Sequence, residues 1–364
     1  MPHPTDQEPI ELAEQSWLFV GGNTVQHDGD RFIEGAAYVE RYVPASCNAA
    51  PPVVMMHGGV QTGTNFTATP DGRRGWLQDF LRAGYTVYIL EQPERGRSGH
   101  ALHAHEPLPL QRYGARTVAE RFTAPAQSSL WPQASAHTQW PGTGVLGDPI
   151  FDNFFASQVE MLADRTAIEA LTRDAGAALL DHIGPAVLLT HSQSGPFGWL
   201  IADARPDLVR GIVAIEPNGP PFKDLTLRGG ESWYSYAESM DRPYGITRAP
   251  LRFEPPLSDG EMLAMRKTKS DDPARADGYL QASVPRSLPS LAQVPIVIVT
   301  AEASYHAPYD HLTSAFLAQA AVDHDFIRLE ERGIRGNGHM VMLESNSHEV
   351  ADLLLEWLAR QGLS

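Results

Sequence analysis

The sequence is poor in cysteine, in basic residues and in long apolar runs. Cys47 is the only cysteine among 364 residues, so neither an intramolecular disulfide nor a zinc site built on several thiolates can form. Acidic residues outnumber basic ones by 44 to 28, and the resulting net charge of −16 predicts a protein that does not bind nucleic acid. No apolar run approaches the roughly 20 residues of a membrane-spanning helix, so we expect no membrane span.

The start of the chain does not resemble a signal peptide. Its first twenty residues contain Asp6, Glu8, Glu11 and Glu14 and lack a basic segment followed by an apolar one. We therefore expect a cytoplasmic protein by default, or a periplasmic or secreted protein if a leader has been removed. A homodimer is compatible with the sequence, as is a monomer.

Short apolar runs alternate with amphipathic stretches, which predicts an α/β fold with a mostly parallel central sheet and helices on both faces. The predicted strands cover residues 36–43, 52–56, 86–90, 186–190, 211–215, 294–300 and 325–329. We expect a single domain over residues 1–364. Two irregular stretches, 99–149 and 217–292, interrupt the alternation and are interpreted as cap insertions over the carboxyl edge of the sheet, with packing elsewhere as the alternative.

Two helices are predicted from apolar spacing. Near the C-terminus Val350, Leu353, Leu354, Trp357 and Leu358 repeat at helical intervals, and Arg360 and Gly362 mark the end. The second helix is predicted from the same spacing in Phe151, Phe154, Phe155 and Leu162.

The segment 185–199 joins an apolar strand to a helix through a tight turn that contains Ser192 and Ser194. Such a turn raises one hydroxyl above the sheet and points the next backbone N–H towards a developing oxyanion. Ser192 is the preferred nucleophile because its flanking positions, Thr190 and Ser194, are small, whereas Ser194 would place Pro196 in the crowded turn. The alternative is that the serine only caps the helix.

A glycine pair follows the strand at 52–56, in the sequence His57-Gly58-Gly59. Glycine allows the backbone to approach a ligand closely, and a second oxyanion donor comes from the loop after this strand in serine hydrolases that use such a turn. We therefore predict that the N–H groups of Gly59 and Gln193 form the oxyanion hole.

A nucleophilic serine needs a base, and His339 is the best candidate among 14 histidines. It lies in a glycine-rich loop after the last predicted strand. His57 and His191 flank the site, but their turns favour a role for the backbone rather than for the ring. Three histidines in the first irregular stretch lack regular ligand spacing and do not predict a metal site: His100, His103 and His105.

Three carboxylates compete for the role of orienting acid. Glu216 follows the strand at 211–215, Glu302 follows the strand at 294–300, and Asp310 lies further on. Each is placed where a carboxylate would reach the imidazole and stabilise its charge, and spacing does not separate Glu216 from Glu302.

The chain resembles the α/β-hydrolase superfamily from about residue 52 onwards, and in particular a group of bacterial carboxylesterases that includes sulfonylurea-herbicide esterases. The resemblance rests on the segments 57–59, 94–98, 191–195, 216–219, 304–311 and 336–340. It implies that Glu216, rather than Glu302, is the triad acid. It also implies hydrolysis of small carboxylic esters.

Together these residues predict an esterase that forms an acyl-enzyme on Ser192, with His339 as base and Glu216 as acid, and with no metal or organic cofactor. The expected substrate is a small-molecule ester, of hydrophobic or aromatic character if the cap aromatics line the pocket. Those aromatics are Trp131, Trp140, Trp233, Tyr234 and Tyr236, which alternatively form the cap's own core. The alternatives in function are a lactonase, an amidase or a C–C hydrolase with the same triad, and a binding protein without activity.

Overall fold

Eight strands form the central sheet, in a computed structural model that describes residues 9–99, 108–282 and 284–364. In chain order they are β1 (Leu12–His27), β2 (Asp30–Pro44), β3 (Val53–Met56), β4 (Val87–Leu90), β5 (Ala186–His191), β6 (Val209–Ile215), β7 (Ile296–Thr300) and β8 (Asp325–Arg328). Their order across the sheet is β1-β2-β4-β3-β5-β6-β7-β8. β1 and β2 pair antiparallel, as do β2 and β4, and all the other neighbours are parallel.

The central strands are buried because helices cover both faces of the sheet. The main helices are α1 (Trp76–Arg82), α2 (Pro149–Ala156), α3 (Arg165–Ile183), α4 (Gly195–Ala204), α5 (Asp310–Gln319) and α6 (Ser347–Arg360). One apolar cluster joins α3, α4 and α5 to the sheet, and a second joins α1, α2 and α6 to the opposite face. The predicted fold class is therefore confirmed. Among the described residues, none of the helices has the length and apolar character needed to span a bilayer.

The remaining elements are short. Turns of α-helix cover Thr64–Thr67, Ala115–Val118 and Pro125–Ser128; a π-helical turn covers Ala119–Thr123; and 3₁₀ turns cover Gly96–Ser98, Pro132–Ala136, Ser192–Ser194, Leu291–Gln293 and Leu329–Arg332. Three small antiparallel pairs join Leu110–Gln111 to Met161–Leu162, Leu225–Leu227 to Tyr234–Tyr236, and Met265–Thr268 to Gly278–Gln281.

The strand predictions are confirmed to within about two residues, except that β2 begins at Asp30, six residues before the predicted start, and the sequence analysis missed β1. This strand has one neighbour, only Val20 is buried, and its four apolar residues at positions 17–20 are flanked by polar residues and glycines. The terminal helix is confirmed. The helix predicted from Phe151 ends at Ala156, and Leu162 belongs instead to a short strand. An apolar residue at helical spacing fits both structures, so the periodicity could not separate them.

The order of the strands creates the place for a site. The chain passes from β3 to β4 on one side of the sheet and then returns to β5 on the other side of β3. Ligands of open α/β sheets bind at the carboxyl edge beside such a reversal. The two irregular stretches, 99–149 and 217–292, meet at this edge, because residues of both line one cavity. The division of the chain into one domain with two cap insertions stays a prediction.

Candidate active site

Ser192 lies on the sharp turn between β5 and α4. Its φ is +57°, in the left-handed region that residues with a side chain rarely adopt, at a cost of order 1–3 kcal/mol. This backbone conformation turns the chain abruptly, and Ser192 lines a cavity above the sheet. The strained turn is the geometry that the sequence predicted for a nucleophile.

Neighbouring residues hold the turn in this conformation. The Ser194 hydroxyl accepts a hydrogen bond from His191 N–H at 2.8 Å and donates one to the Met56 carbonyl at 2.7 Å, so this serine joins the turn to β3. Gly195 packs so closely on Pro217 that an added Cβ would lie 2.4 Å from the proline Cβ. Ser194 is thus engaged in structure, whereas Ser192 faces the cavity.

The turn after β6 is attached to the turn that carries Ser192. Glu216 itself has a φ of +46°, and Asn218 N–H donates to the Ser192 carbonyl at 2.9 Å. Two strained turns on adjacent strands therefore support each other, which explains how the fold tolerates both.

His339 reaches Glu216 from the loop after β8. Nδ1 of the ring lies 2.5 Å from Oε2 of the carboxylate, and both side chains are buried. The ring is sandwiched between His306, at a centroid distance of 5.0 Å, and Phe122, at 5.2 Å. Hydrogen bonding and packing fix the orientation of the imidazole and leave Nε2 towards the cavity side, where Tyr305 lies.

The other two candidate acids have different partners. Glu302 accepts hydrogen bonds from Gly336 N–H at 2.8 Å and from Arg335 at 2.9 Å, and so stabilises the loop that carries His339. Asp310 pairs with His306 Nδ1 at 2.8 Å and with the Thr300 hydroxyl at 2.7 Å. Only Glu216 among the three candidates contacts the His339 ring.

Burial governs the protonation of this pair. It lowers the pKa of His339 well below 6.5, and the neighbouring His191 and His306 rings act in the same direction, so the imidazole is neutral near pH 7. Burial also raises the pKa of the Glu216 carboxyl, and the negative charge of Asp310 adds to the effect. The Ser304 hydroxyl, 2.6 Å away, and Ala301 N–H, 2.8 Å away, oppose that rise because they donate to the carboxylate.

Tyr305 is a site residue that the sequence analysis did not single out. Its hydroxyl lies 3.4 Å from His339 Nε2, and an interaction with the Ser192 side chain partly opposes the rise in the pKa of the phenol that burial causes. Ser192, Tyr305 and His339 all line the same cavity. Tyr305 follows β7 in the segment 304–311, so its position after a strand and its place in a segment that carries the family resemblance were the available signals.

Gly59 and Gln193, the predicted oxyanion donors, both line the cavity, whose volume is about 230 Å³. Within the part of the chain that the structure describes, neither backbone N–H has a protein acceptor. Arg95, fully buried, joins the two loops: it donates to the Gln61 carbonyl at 3.2 Å and to Gln193 Oε1 at 3.3 Å. The arginine was missed because its role depends on contacts distant in sequence.

His57 and His191 use their rings as well as their backbones, contrary to the sequence-based interpretation. His191 Nε2 lies 2.9 Å from the His339 carbonyl and so positions the histidine loop. His57 Nδ1 lies 2.9 Å from the Gly58 carbonyl, and burial lowers the pKa of each ring to about 3. His100, His103 and His105 fall outside the described residues.

Glu216, His306 and His339 bring possible metal-ligand atoms within 4.8 Å of one another in the described part of the chain. However, Nδ1 of each histidine already contacts a carboxylate, and both oxygens of Glu216 accept hydrogen bonds. This donor set serves the hydrogen-bond network, and we assign no metal to it.

Three of the cap aromatics, Trp131, Trp233 and Tyr234, belong to a separate core of the cap, which is the alternative that the sequence left open. Trp131 and Trp233 pack together with Tyr309, and Trp140 belongs to the large cluster on the α6 face. None of the five predicted aromatics lines the cavity with Ser192. Its aromatic walls are Tyr113, Phe122, Tyr305 and Tyr309.

The fold and the site together define the α/β-hydrolase class. The sheet is mostly parallel, a serine lies on a strained turn, and a buried histidine–carboxylate pair lies beneath a cavity. Residues 53–353 match the model of the Alpha/beta hydrolase family, and the chain belongs to that family. The predicted resemblance to this superfamily is confirmed.

Two further similarities cover nearly the whole chain. "Probable secreted lipase phiG" from a fungus (Fungal sp. strain ATCC 74256) is 42% identical over 347 residues, which are 95% of this chain and 90% of that protein. The atomic-resolution structure of a novel bacterial esterase superposes with a TM-score of 0.67 at 21% identity and covers 98% of both chains. At that identity the second similarity shows the fold.

Proposed function

We propose that this protein is a serine carboxylesterase that forms an acyl-enzyme on Ser192. The observation that carries the proposal is the contact between His339 and Glu216 beneath a cavity that Ser192 lines. The description of the 42% identical relative as a lipase supports ester hydrolysis.

In the proposed reaction neutral His339 takes the proton of the Ser192 hydroxyl as the oxygen attacks the ester carbonyl. Glu216 accepts a hydrogen bond from Nδ1 and stabilises the imidazolium that forms. The N–H groups of Gly59 and Gln193 bind the oxyanion, each contributing about 3 kcal/mol to the transition state. His339 then protonates the leaving alcohol, and water hydrolyses the acyl-enzyme by the same steps in reverse.

Covalent labelling tests the nucleophile directly. A fluorophosphonate probe should label the wild type and Ser194→Ala, because Ser194 is the structural serine of the turn, but it should not label Ser192→Ala. Labelling of Ser192→Ala to the wild-type extent would contradict the assignment. The same result would separate the esterase from a binding protein, which should not react in any form.

Hydrolysis of 4-nitrophenyl acetate tests the function. Ser192→Ala and His339→Ala should lose nearly all activity while their thermal unfolding stays cooperative; turnover within tenfold of wild type in either variant would refute the proposed roles. A panel of esters, lactones and anilides separates the carboxylesterase from a lactonase or amidase with the same triad.

We also propose that the protein is secreted, on the basis of the description of phiG as a secreted lipase. Detection of the activity in the culture medium of the native host supports this proposal, and its confinement to the cell lysate contradicts it.

A further inference from the structure

One charged side chain in the active-site cavity has no ionic or hydrogen-bonding partner among the residues that the structure describes. Arg121 lies in the π-helical turn at Ala119–Thr123 and lines the cavity together with Ser192 and His339. The guanidinium makes neither an ion pair nor a hydrogen bond with any residue in the described ranges, and it lies 5.9 Å from the centroid of the Tyr305 ring. Arg121 is half-buried, so its charge is only partly hydrated.

Arg121 is close to the reacting groups. The Tyr305 ring beside it carries the hydroxyl that lies 3.4 Å from His339 Nε2. Phe122, the next residue along the chain, packs on the His339 ring at 5.2 Å. A group bound by Arg121 would therefore belong to the same small molecule as the ester that Ser192 attacks.

The other charges on the cavity wall do not neutralise Arg121. Arg165 and Asp224 also line the cavity, 3.6 Å apart. Asp224 is shared with two further guanidinium groups, those of Arg242 at 2.5 Å and Arg248 at 3.5 Å. Arg248 has two more carboxylate partners, Glu169 at 3.5 Å and Asp241 at 3.8 Å, so this cluster holds as many carboxylates as arginines. Arg121 is therefore the charge on the cavity wall that no described carboxylate offsets, although the chain carries a net charge of −16. An acidic protein with a positive pocket attracts anions to that pocket.

We propose that Arg121 binds a carboxylate of the substrate, so that the preferred substrate is an ester that carries a second, free carboxylate, such as the half-ester of a dicarboxylic acid. The planar guanidinium donates two parallel hydrogen bonds to a carboxylate, which a lysine cannot reproduce. This inference deepens the proposed function and rests on it.

A matched pair of substrates measures the effect of the substrate's free carboxylate alone. Mono-4-nitrophenyl adipate and methyl 4-nitrophenyl adipate release the same nitrophenol from acyl chains that differ only in a free or a methylated carboxyl group. Affinity of Arg121 for the product does not enter this comparison, because kcat/KM covers only the steps up to release of the nitrophenol. A general folding defect also cancels in that ratio.

The wild type should favour the anionic ester, and Arg121→Gln should lower the ratio about 10- to 100-fold, the effect of one charged hydrogen-bond pair. Arg121→Lys should give an intermediate ratio. Arg116→Gln is the control, because Arg116 is exposed on the neighbouring helical turn and does not line the cavity, and its ratio should equal that of the wild type. A ratio that changes less than twofold in Arg121→Gln would overturn the inference while leaving the esterase proposal intact.

A binding measurement separates this inference from the proposed function. If the wild type hydrolyses neither ester, the proposed function fails. Calorimetric titration of adipate into Ser192→Ala then decides about Arg121 alone. Binding that Arg121→Gln abolishes in the same background supports the anion site, and binding that is absent or insensitive to Arg121→Gln overturns it.

Discussion

Glu216 and His339 are 123 positions apart in the chain, and yet His339 Nδ1 lies 2.5 Å from Glu216 Oε2 in a buried environment. We expect Glu216→Gln to lower kcat for 4-nitrophenyl acetate by about 10³-fold or more. The glutamine amide is similar in size to the carboxylate, but its NH₂ group can donate to Nδ1. This favours the tautomer with its proton on Nε2, which cannot accept the serine proton, and it leaves the imidazolium without a counter-charge.

Glu302→Gln is the matched control for that substitution. Glu302 contacts Arg335 and Gly336 but not the ring of His339, so its loss should reduce kcat by less than about tenfold. A larger loss in Glu302→Gln than in Glu216→Gln would reverse the assignment of the acid.

Tyr305→Phe should lower kcat by about tenfold, the effect of one neutral hydrogen bond, because the hydroxyl contacts both Ser192 and His339 Nε2. Burial raises the pKa of the phenol, which therefore remains a proton donor at every working pH. Tyr236→Phe removes a hydroxyl from the cap, where it donates to the Asp277 carbonyl, and should leave kcat unchanged. Steady-state kinetics in which Tyr305→Phe keeps kcat within twofold would contradict the role of Tyr305.

Gly195→Ala should destabilise the protein by about 1–3 kcal/mol and lower kcat, because the new methyl group would lie 2.4 Å from the Pro217 Cβ and force apart the turns of Ser192 and Glu216. Gly114→Ala introduces the same methyl group where no atom lies within 4 Å, and should change neither quantity. Urea denaturation and kinetics measure both effects. Equal stability of the two variants would show that the contact between the turns is unimportant.

The pH dependence of kcat/KM should reflect the low pKa of His339. The base must be neutral, so activity is present above the pKa and is lost as the pH falls through it. Because burial lowers this pKa well below 6.5, we expect the acid limb of the profile below pH 6.5. An acid limb centred at or above 6.5, in a pH range where thermal unfolding shows the protein intact, would contradict this expectation.

Stability should fall as the pH drops from about 6.5 towards 4. Burial lowers the pKa of His57 and His191 to about 3 and that of His311 to about 4, so the unfolded chain binds more protons than the folded one in this interval. Each such histidine contributes a slope of up to about 1.4 kcal/mol per pH unit. His311→Asn should therefore show a shallower loss of Tm between pH 6 and pH 4, and an unchanged slope would show that His311 does not titrate as described.

The inner strands were predictable because each is a continuous apolar run, whereas β1 was not, since it has one neighbour and exposes most of its side chains. Ser192, His339 and the glycine pair before Val60 were recognisable because each follows a predicted strand in a turn of distinctive composition. Tyr305, Arg95 and Arg121 were not recognisable. Their roles depend on what lies opposite them, and a tyrosine or arginine in an irregular segment is most often a surface residue.

The amino-acid sequence alone determined the class of fold and the turn that presents Ser192, because apolar periodicity and the steric demands of a tight turn are local properties of the chain. Spacing alone left open which carboxylate faces the histidine, although the family resemblance implied Glu216, and it left open what the cap aromatics do. Those points depend on the packing of segments that are distant in the chain, and only the tertiary structure decided them. It placed Glu216 against His339 and Glu302 against Arg335, and it packed Trp131 and Trp233 behind Tyr309, which lines the cavity in their place.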